Sequence, residues 1–445
     1  MQFRADWKAG GGPLADRLSR EVQEAIMIGW LAPGSLLPSE RRIAETAGVS
    51  RVTVAAAIDQ LVRTGWIDRR NRARSVVRFP SDRDQSLAAR ANRTVALDLS
   101  AARVAAPIER IVEALDKARP KLTPHLLGDG RSPLGLTSLR ELIAQRYQAN
   151  GLVTSTEQIV VTNGAMGALN AVLDARPGRV LVEDPTYHVA LRLLASKRRK
   201  IMAWPRTEPW GIRAADELAR QYSPAVTYLV PDFHNPTGLL VGDADRERFA
   251  RIRDRFGVIV VDETLRDLDL RTGHRPMPQH LAASVASAIT IGGLSKSVWS
   301  GLRIGWMRLP TPTDVPAFSA IAEFQPVPIL DQLVAVEMWP HLTSTIATRV
   351  ERLRHQRDVL VDALRECGLS ARRPEGGLVA WVDLKRPVAS ALVAAASEHG
   401  IALSPGSTFS VASRLERYVR LPFTSDADSI RESVATISRC LDQID

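Results

Sequence analysis

The sequence predicts two units in series: a small N-terminal α+β module of three helices closed by a β-ribbon, and a large α/β domain on a mainly parallel sheet. Three observations predict this. At 445 residues the chain exceeds what one hydrophobic core usually organises. Its net charge of +10 is uneven: residues 1–94 carry 16 Lys and Arg against 10 Asp and Glu, and the remainder 43 against 39. From about residue 96 onward, short apolar runs alternate with amphipathic segments, the pattern of strands covered by helices on both faces.

In chain order, residues 14–28 place Leu14, Leu18, Val22, Ala25 and Ile26 on one helical face behind Pro13. The Gly- and Pro-rich stretch after it predicts a loop. Ser39 is positioned to cap a short helix, Glu40 to Ala47, which Gly48 ends, and Ser50 to cap the next, which runs to about Arg63 with Val54, Ile58 and Leu61 inward. Trp66-Ile67 and Val76-Val77 bracket a polar ribbon. The reading assigns 1–78 to this module, 79–95 to a polar linker and 96–445 to the large domain, with a larger part at about 125–345 and a smaller one at about 346–445. IVVT (159–162), RVLVED (179–184), TYLVPD (227–232), VIVVDE (258–263) and AITIGG (288–293) read as buried strands. A long helical stretch after about residue 345 leads to LVAWVDL (378–384) and YVRLPF (418–423) in the smaller part.

Composition narrows the function classes. With 45% hydrophobic and 24% charged residues the chain reads as soluble and globular. It shows no apolar stretch of bilayer length and no signal-peptide run at its N-terminus, so a cytoplasmic protein without a membrane partner is expected. Cys367 and Cys440 form no metal or redox motif, and no metal site is predicted. The basic N-terminal fifth calls for an acidic partner.

Several short segments carry chemistry. VTNGAMGALN (161–170) follows a strand and opens a helix, so free N–H groups of Gly164, Ala165 and Met166 are placed to hold an anion. VEDPTYHVA (182–190) puts Tyr187 just past a strand, PDFHNPTG (231–238) presents Asn235 at another strand's end, and VIVVDE (258–263) ends on Asp262. GGLSKSVWSGLRIGW (292–306) contains Ser295, Lys296 and Arg303, and Arg420 lies within YVRLPF. Taken singly, each has an ordinary reading: a tight turn, a packed ring, a helix cap or a solvated charge.

Together and in this order they resemble the fold-type I aminotransferases. The resemblance implies pyridoxal 5'-phosphate as cofactor, joined to Lys296 as the internal aldimine. Gly164, Ala165, Met166, Ser295 and Arg303 would bind its phosphate. Tyr187 would stack on the ring, Asn235 would bond its phenolic oxygen, and Asp262 would keep its nitrogen protonated so that the ring acts as an electron sink. Arg420 would bind the carboxylate of an effector in a fork-to-fork pair. Segment 29–67, with LPSxRxxA followed by VSRxTV, resembles the GntR regulators, whose second helix of the turn enters the major groove. That resemblance implies DNA contacts by Arg41, Ser50, Arg51 and Thr53, with Arg51 suited to guanine O6 and N7.

The two resemblances in one chain are those of the MocR-type regulators. They imply a transcription regulator that senses the cofactor or an amino-acid or amine effector, and a homodimer reading paired half-sites on double-stranded DNA. Two departures stand out. The wing tip has Asn71, Arg72, Ala73 and Arg74 where the family has glycines, so Arg72 and its neighbours would grip phosphates or a narrow groove. Thr264 and Leu265 stand where the family commonly has a tyrosine after the aspartate, and no tyrosine lies between residues 122 and 146. The missing tyrosines favour a sensor over the alternative, a working aminotransferase with an accessory N-terminal domain.

Overall fold

The computed structural model describes residues 7–8, 12–27, 31, 36–70, 74–77, 97–206, 210–273, 275–315, 318, 326–412 and 414–444. The linker and the wing-tip residue Arg72 lie outside them.

The N-terminal module is three helices and a ribbon: α1 (Leu14–Met27), α2 (Glu40–Ala47), α3 (Arg51–Arg63), β1 (Ile67–Arg70) and β2 (Arg74–Val77). The predicted caps set the helix starts. Ser39 accepts the Arg42 N–H at 3.4 Å, and Ser50 accepts the Thr53 N–H at 3.1 Å. Gly48, at φ 62°, supplies the left-handed turn that ends α2. Leu18, Val22, Ile26, Ile43, Val54, Ile58, Leu61, Ile67 and Val77 make one core. β1 and β2 pair antiparallel, Ile67 opposite Val77 and Arg70 opposite Arg74.

The large domain begins with β3 (Leu97–Asp98), α4 (Ile108–Ala118) and α5 (Thr137–Ala149). It continues through β4 (Ile159–Asn163), α6 (Gly164–Ala175), β5 (Val180–Asp184), α7 (His188–Ser196), β6 (Ile201–Pro205), α8 (Ile212–Tyr222) and β7 (Val226–Leu229). After these come α9 (Asp243–Ala250), β8 (Val258–Asp262), β9 (Ile289–Gly293), β10 (Ile304–Arg308) and α10 (Ile329–Met338). The sheet order is β4-β10-β9-β8-β7-β5-β6. Strands β5 to β9 pair in parallel, and β10 runs antiparallel between β9 and β4. Buried side chains form separate apolar clusters on the sheet's two faces. That two-sided cover explains the uninterrupted Val/Ile runs.

Strands β6 and β10 are not evident from the sequence. β10 reads IGWMR, with a glycine and an arginine where an apolar run is expected, yet all five residues are buried. Arg308 is tolerated there because its guanidinium donates to Thr154 Oγ1 at 2.8 Å and to the Val153 carbonyl at 2.9 Å. β6 is an edge strand, only half covered.

The long helix α11 (Leu342–Glu366) leads into the smaller part: β11 (Ser370–Ala371), β12 (Val379–Asp383), α12 (Ala389–Glu398), β13 (Ile401–Ala402), β14 (Ser404–Pro405), β15 (Tyr418–Pro422) and α13 (Ala427–Asp442). Its sheet runs β11-β12-β15-β14. β3, the first described element after the linker, pairs in parallel with β13. No described helix is long and apolar enough to cross a membrane.

Candidate functional site

The predicted site residues of the large domain converge on one end of the main sheet because of its register. Asp262 ends β8 and pairs with Ile291 of β9, Gly293 pairs with Gly305 of β10, and Ile304 pairs with Asn163 at the end of β4. The antiparallel β10 thus starts where its neighbours stop.

The β4–α6 turn is the candidate anion cradle. Gly164 takes φ 70° as α6 opens, which leaves the first helical N–H groups unpaired by the helix itself. Gly305 packs directly beneath: a Cβ there would sit 2.3 Å from the Gly164 carbonyl carbon and 2.6 Å from the Ala165 nitrogen. Arg303, exposed, holds a left-handed φ of 54° and donates through Nε to Asn163 Oδ1 at 2.9 Å. Such a backbone in a non-glycine residue costs energy and is typical of functional positions. Ser295 is half-buried in the turn before Lys296.

Asp262 is buried and holds three hydrogen bonds. Tyr228 Oη donates to Oδ2 at 2.7 Å, and the Thr264 N–H and hydroxyl donate to Oδ1 at 2.9 and 2.5 Å. Burial pushes the Asp262 carboxyl up despite these donors, and burial beside Asp262 pushes the Tyr228 phenol well above its usual range. The phenol therefore keeps its proton and stays the donor. Thr264, which stands where the family commonly has a tyrosine, bonds the carboxylate from one side, and Tyr228, on the neighbouring strand, from the other.

Lys296 is drawn down to about 8, chiefly by burial and then by the charge of Arg420, with Asp262 opposing. Its ammonium donates to the Ala102 carbonyl at 3.1 Å. Arg420, 1% exposed on β15, donates through Nη2 to the Ser100 carbonyl and lies 4.7 Å over the Phe409 ring. Its Nε is buried without a partner. Burial draws this guanidinium down to about 10, still charged at neutral pH.

Tyr187 caps the start of α7, half-buried, with the His188 ring 5.2 Å away edge-on. Burial, with Arg420, Arg192 and Lys296 nearby, draws His188 down to about 3, so it is neutral throughout the useful pH range. Asn235 follows β7, with its Oδ1 buried and unbonded. The buried atoms without partners on Asn235, His188 and Arg420, beside a turn whose underlying Gly305 has no room for a Cβ, fit a phosphorylated ring compound bearing an amine-reactive group.

Sequence reasoning missed four contributors: Tyr228, His188, Arg349 and the carbonyls of residues 100–105. Arg349 donates to the Lys296 carbonyl at 2.9 Å and to the Ala105 carbonyl at 2.7 Å. Only Tyr228 had a signal, a phenol in an otherwise aliphatic buried strand that needs a partner.

In the N-terminal module, Ser50 is committed to capping α3, with its oxygen 2.8 Å from the half-buried Thr53 hydroxyl. Arg41 is exposed and lies 3.4 Å from Glu45. Arg51, exposed at the first turn of α3, has no ion pair among the described residues. Val52 beside it is 79% exposed, an apolar group the sequence reading passed over.

The Aminotransferase class I and II family model matches residues 97–437, and the model of bacterial regulatory proteins of the gntR family matches 14–77. The chain is 27% identical to the uncharacterized HTH-type transcriptional regulator YisV of Bacillus subtilis (strain 168), over 84% of each. It is 28% identical to the probable rhizopine catabolism regulatory protein MocR of Rhizobium meliloti, over 67% of this chain and 66% of that one. Among solved structures, LysN, the alpha-aminoadipate aminotransferase of Thermus thermophilus, matches at TM-score 0.71 and 24% identity, over 78% of this chain and 92% of its own.

Proposed function

The chain belongs to the aminotransferase class I and II family, here joined to a GntR-type winged helix in the MocR-type combination of a transcription regulator, and from that premise we propose that it senses pyridoxal phosphate together with a carboxylate-bearing amine. The observation that carries this reading is a single short segment. Residues 100–102, which closely follow the linker from the N-terminal module, engage both groups that a cofactor and an effector would need: Ser100 holds Arg420, and Ala102 holds Lys296.

In this reading Gly164, Ala165, Met166, Ser295 and Arg303 hold the phosphate, Asn235 and Tyr187 hold the ring, and Asp262 faces its nitrogen. Pyridoxal phosphate supplies an aldehyde that combines reversibly with primary amines and a ring that accepts electron density. The chain's residues prepare for it. Burial leaves Lys296 a weaker base than usual, so its neutral, nucleophilic form is accessible near pH 8. Asp262, poorly stabilised as a buried anion, gains a counter-charge from a protonated ring nitrogen. Arg420, desolvated and bonded to one carbonyl, exchanges that carbonyl for the two oxygens of a carboxylate, a stronger pair. Giving up the Lys296 and Arg420 bonds loosens the segment at 100–102 and so biases the chain leading to the DNA-binding module.

On the DNA side, Arg51 supplies bidentate donors and Val52 an apolar contact for a thymine methyl, while Arg41 and Thr53 contact the backbone. The partner is a duplex with paired half-sites, read by a homodimer.

The test is binding of the purified protein to its own upstream DNA at fixed salt, with and without pyridoxal phosphate and amino acids. Affinity that changes with cofactor or effector, and loses its effector response in Arg420→Ala, is the expected result. No preference over random DNA in any state, with sustained turnover of amino donors and keto-acid acceptors, would instead make this a working aminotransferase.

A further inference from the structure

A second charged feature lies at the opposite end of the main sheet from the site just described. The strands β5, β6 and β7 start in register, Val180 opposite both Ile201 and Val226. The turns leading into them form one cleft lined by Arg179, Lys197, Arg198, Arg199 and Lys200, with Gly178 and Ser223. Strand β8 starts level with β7 and reaches Asp262 four residues later. At about 3.3 Å per residue this puts the cleft roughly 13 Å from the site end, too far to serve the phosphate cradle.

Two of the five cations have internal duties. Lys197 pairs with Asp174, and Arg199 donates to the Leu173 carbonyl. Among the described residues, Arg179 makes only a long 3.5 Å contact with the Tyr222 carbonyl. Arg198 and Lys200 are exposed and have no ion pair among the described residues. Cations near helix C-termini are favourable in themselves, and that accounts for Lys197 after α7. It does not account for an arginine, rather than a glycine, in the position that Arg198 takes. The α7 terminus closes with the Arg198 N–H on the Ala195 carbonyl at 2.8 Å and the Arg199 N–H on the Leu194 carbonyl at 3.0 Å, and Arg198 sits in the left-handed position at φ 54°. Glycine is the usual residue there because a side chain strains that conformation. The chain instead carries a guanidinium, as it does at Arg303 beside the anion cradle. Ser223, on the rim of the same cleft, is also left-handed, at φ 48°.

We infer that this cleft grips the sugar–phosphate backbone of duplex DNA lying outside the half-sites read by the N-terminal module. The inference rests on the DNA-binding reading of that module. Nineteen residues, 78–96, separate the ribbon from β3, a tether that spans at most about 65 Å. Once the module is on its site, flanking phosphates face the large domain at an effective concentration on the order of millimolar. A patch too weak to hold DNA alone is then engaged, and it carries no sequence preference.

The test uses the full-length protein on two duplexes: one ending at the outer edges of the protected half-sites, and one extended on each side by about two helical turns, roughly 20 base pairs. The variant combines Arg179→Ala, Arg198→Gly and Lys200→Ala. On the long duplex the slope of log affinity against log salt is expected to become shallower by about 5, near 0.9 for each of the phosphates that the three cations of both protomers no longer neutralise. On the short duplex the slope stays as in the wild type. The single variant Arg198→Gly guards against misfolding: it keeps the left-handed turn, so its thermal midpoint holds or rises while the long-duplex slope falls by about 2, one phosphate for each protomer. Equal slopes for variant and wild type on both duplexes overturn the inference and leave the winged-helix reading intact. Loss on both duplexes alike also overturns it, since the residues would then serve the half-site complex. Wild-type protein that fails to prefer its own upstream DNA to scrambled duplex overturns both readings.

Discussion

Tyr228 and Asp262 form the pair on which the proposed ring electronics depend. The phenol cannot ionise in its buried setting, so its one proton is committed to Asp262 Oδ2. Tyr228→Phe removes that donor and leaves the carboxylate with Thr264 alone, at a cost of about 1–3 kcal/mol for an unsatisfied buried group. The expected outcome is weaker cofactor retention, read by absorbance titration, with Asp262 driven further up. Lys296 supplies a second prediction at this scale. Because its folded value lies near 8 rather than 10.5, the cofactor-free protein should take up pyridoxal phosphate at a rate that climbs through about pH 8. The sign for stability follows from proton counting: between about pH 8 and 10.5 the unfolded chain binds a proton that the folded one lacks, so stability rises with pH across that window. Lys296→Met should therefore raise the thermal midpoint of cofactor-free protein at pH 7 while abolishing borohydride-trappable cofactor. A midpoint that stays flat, or a trapped adduct in the variant, would place the amine elsewhere.

At the level of elements, β10 is the piece that makes the cradle. Gly305→Ala places a methyl 2.3 Å from the Gly164 backbone, which has no flexible side chain to yield. We expect a loss of about 1–3 kcal/mol, seen as a raised dissociation constant for pyridoxal phosphate with the N-terminal module still folded. Phosphate affinity equal to wild type would show that the cradle lies elsewhere. The same strand shows where sequence reading succeeds and stops. The caps Ser39, Ser50 and Gly48 and the strand-end position of Asp262 were legible because each is set by local chain geometry within a few residues, whereas Asn235 lies six residues past the end of β7 rather than at a strand end. β10 was not, since IGWMR carries neither an alternating nor a continuous apolar pattern, and its burial comes from neighbours up to 150 residues away. Tyr228 read as core because its partner sits on another strand. The carbonyls of Ser100, Ala102 and Ala105 were invisible in principle: every residue has one, and only the tertiary path decides which face Arg420, Lys296 and Arg349.

For the whole molecule, the proposed ligand site and DNA site are coupled through one chain, and coupling of that kind is reciprocal. If saturating cofactor changes operator affinity by some factor, operator DNA must change cofactor affinity by the same factor, measurable by absorbance titration with and without duplex. Unequal factors would mean that a third species, such as a different oligomer, enters the equilibrium. The double attachment of the segment after the linker has one more consequence. β3 is paired to β13, Asp98 bonds both Ser100 and Arg103, and the carbonyls of Ser100 and Ala102 sit on the two groups a ligand must claim. A ligand then meets a competitor that is part of the chain and never diffuses away. Its apparent dissociation constant is the intrinsic one divided by the fraction of molecules in which the segment has let go. The strength of those few bonds is thus a dial on the concentration at which the regulator answers, set independently of how well the pocket fits its ligand.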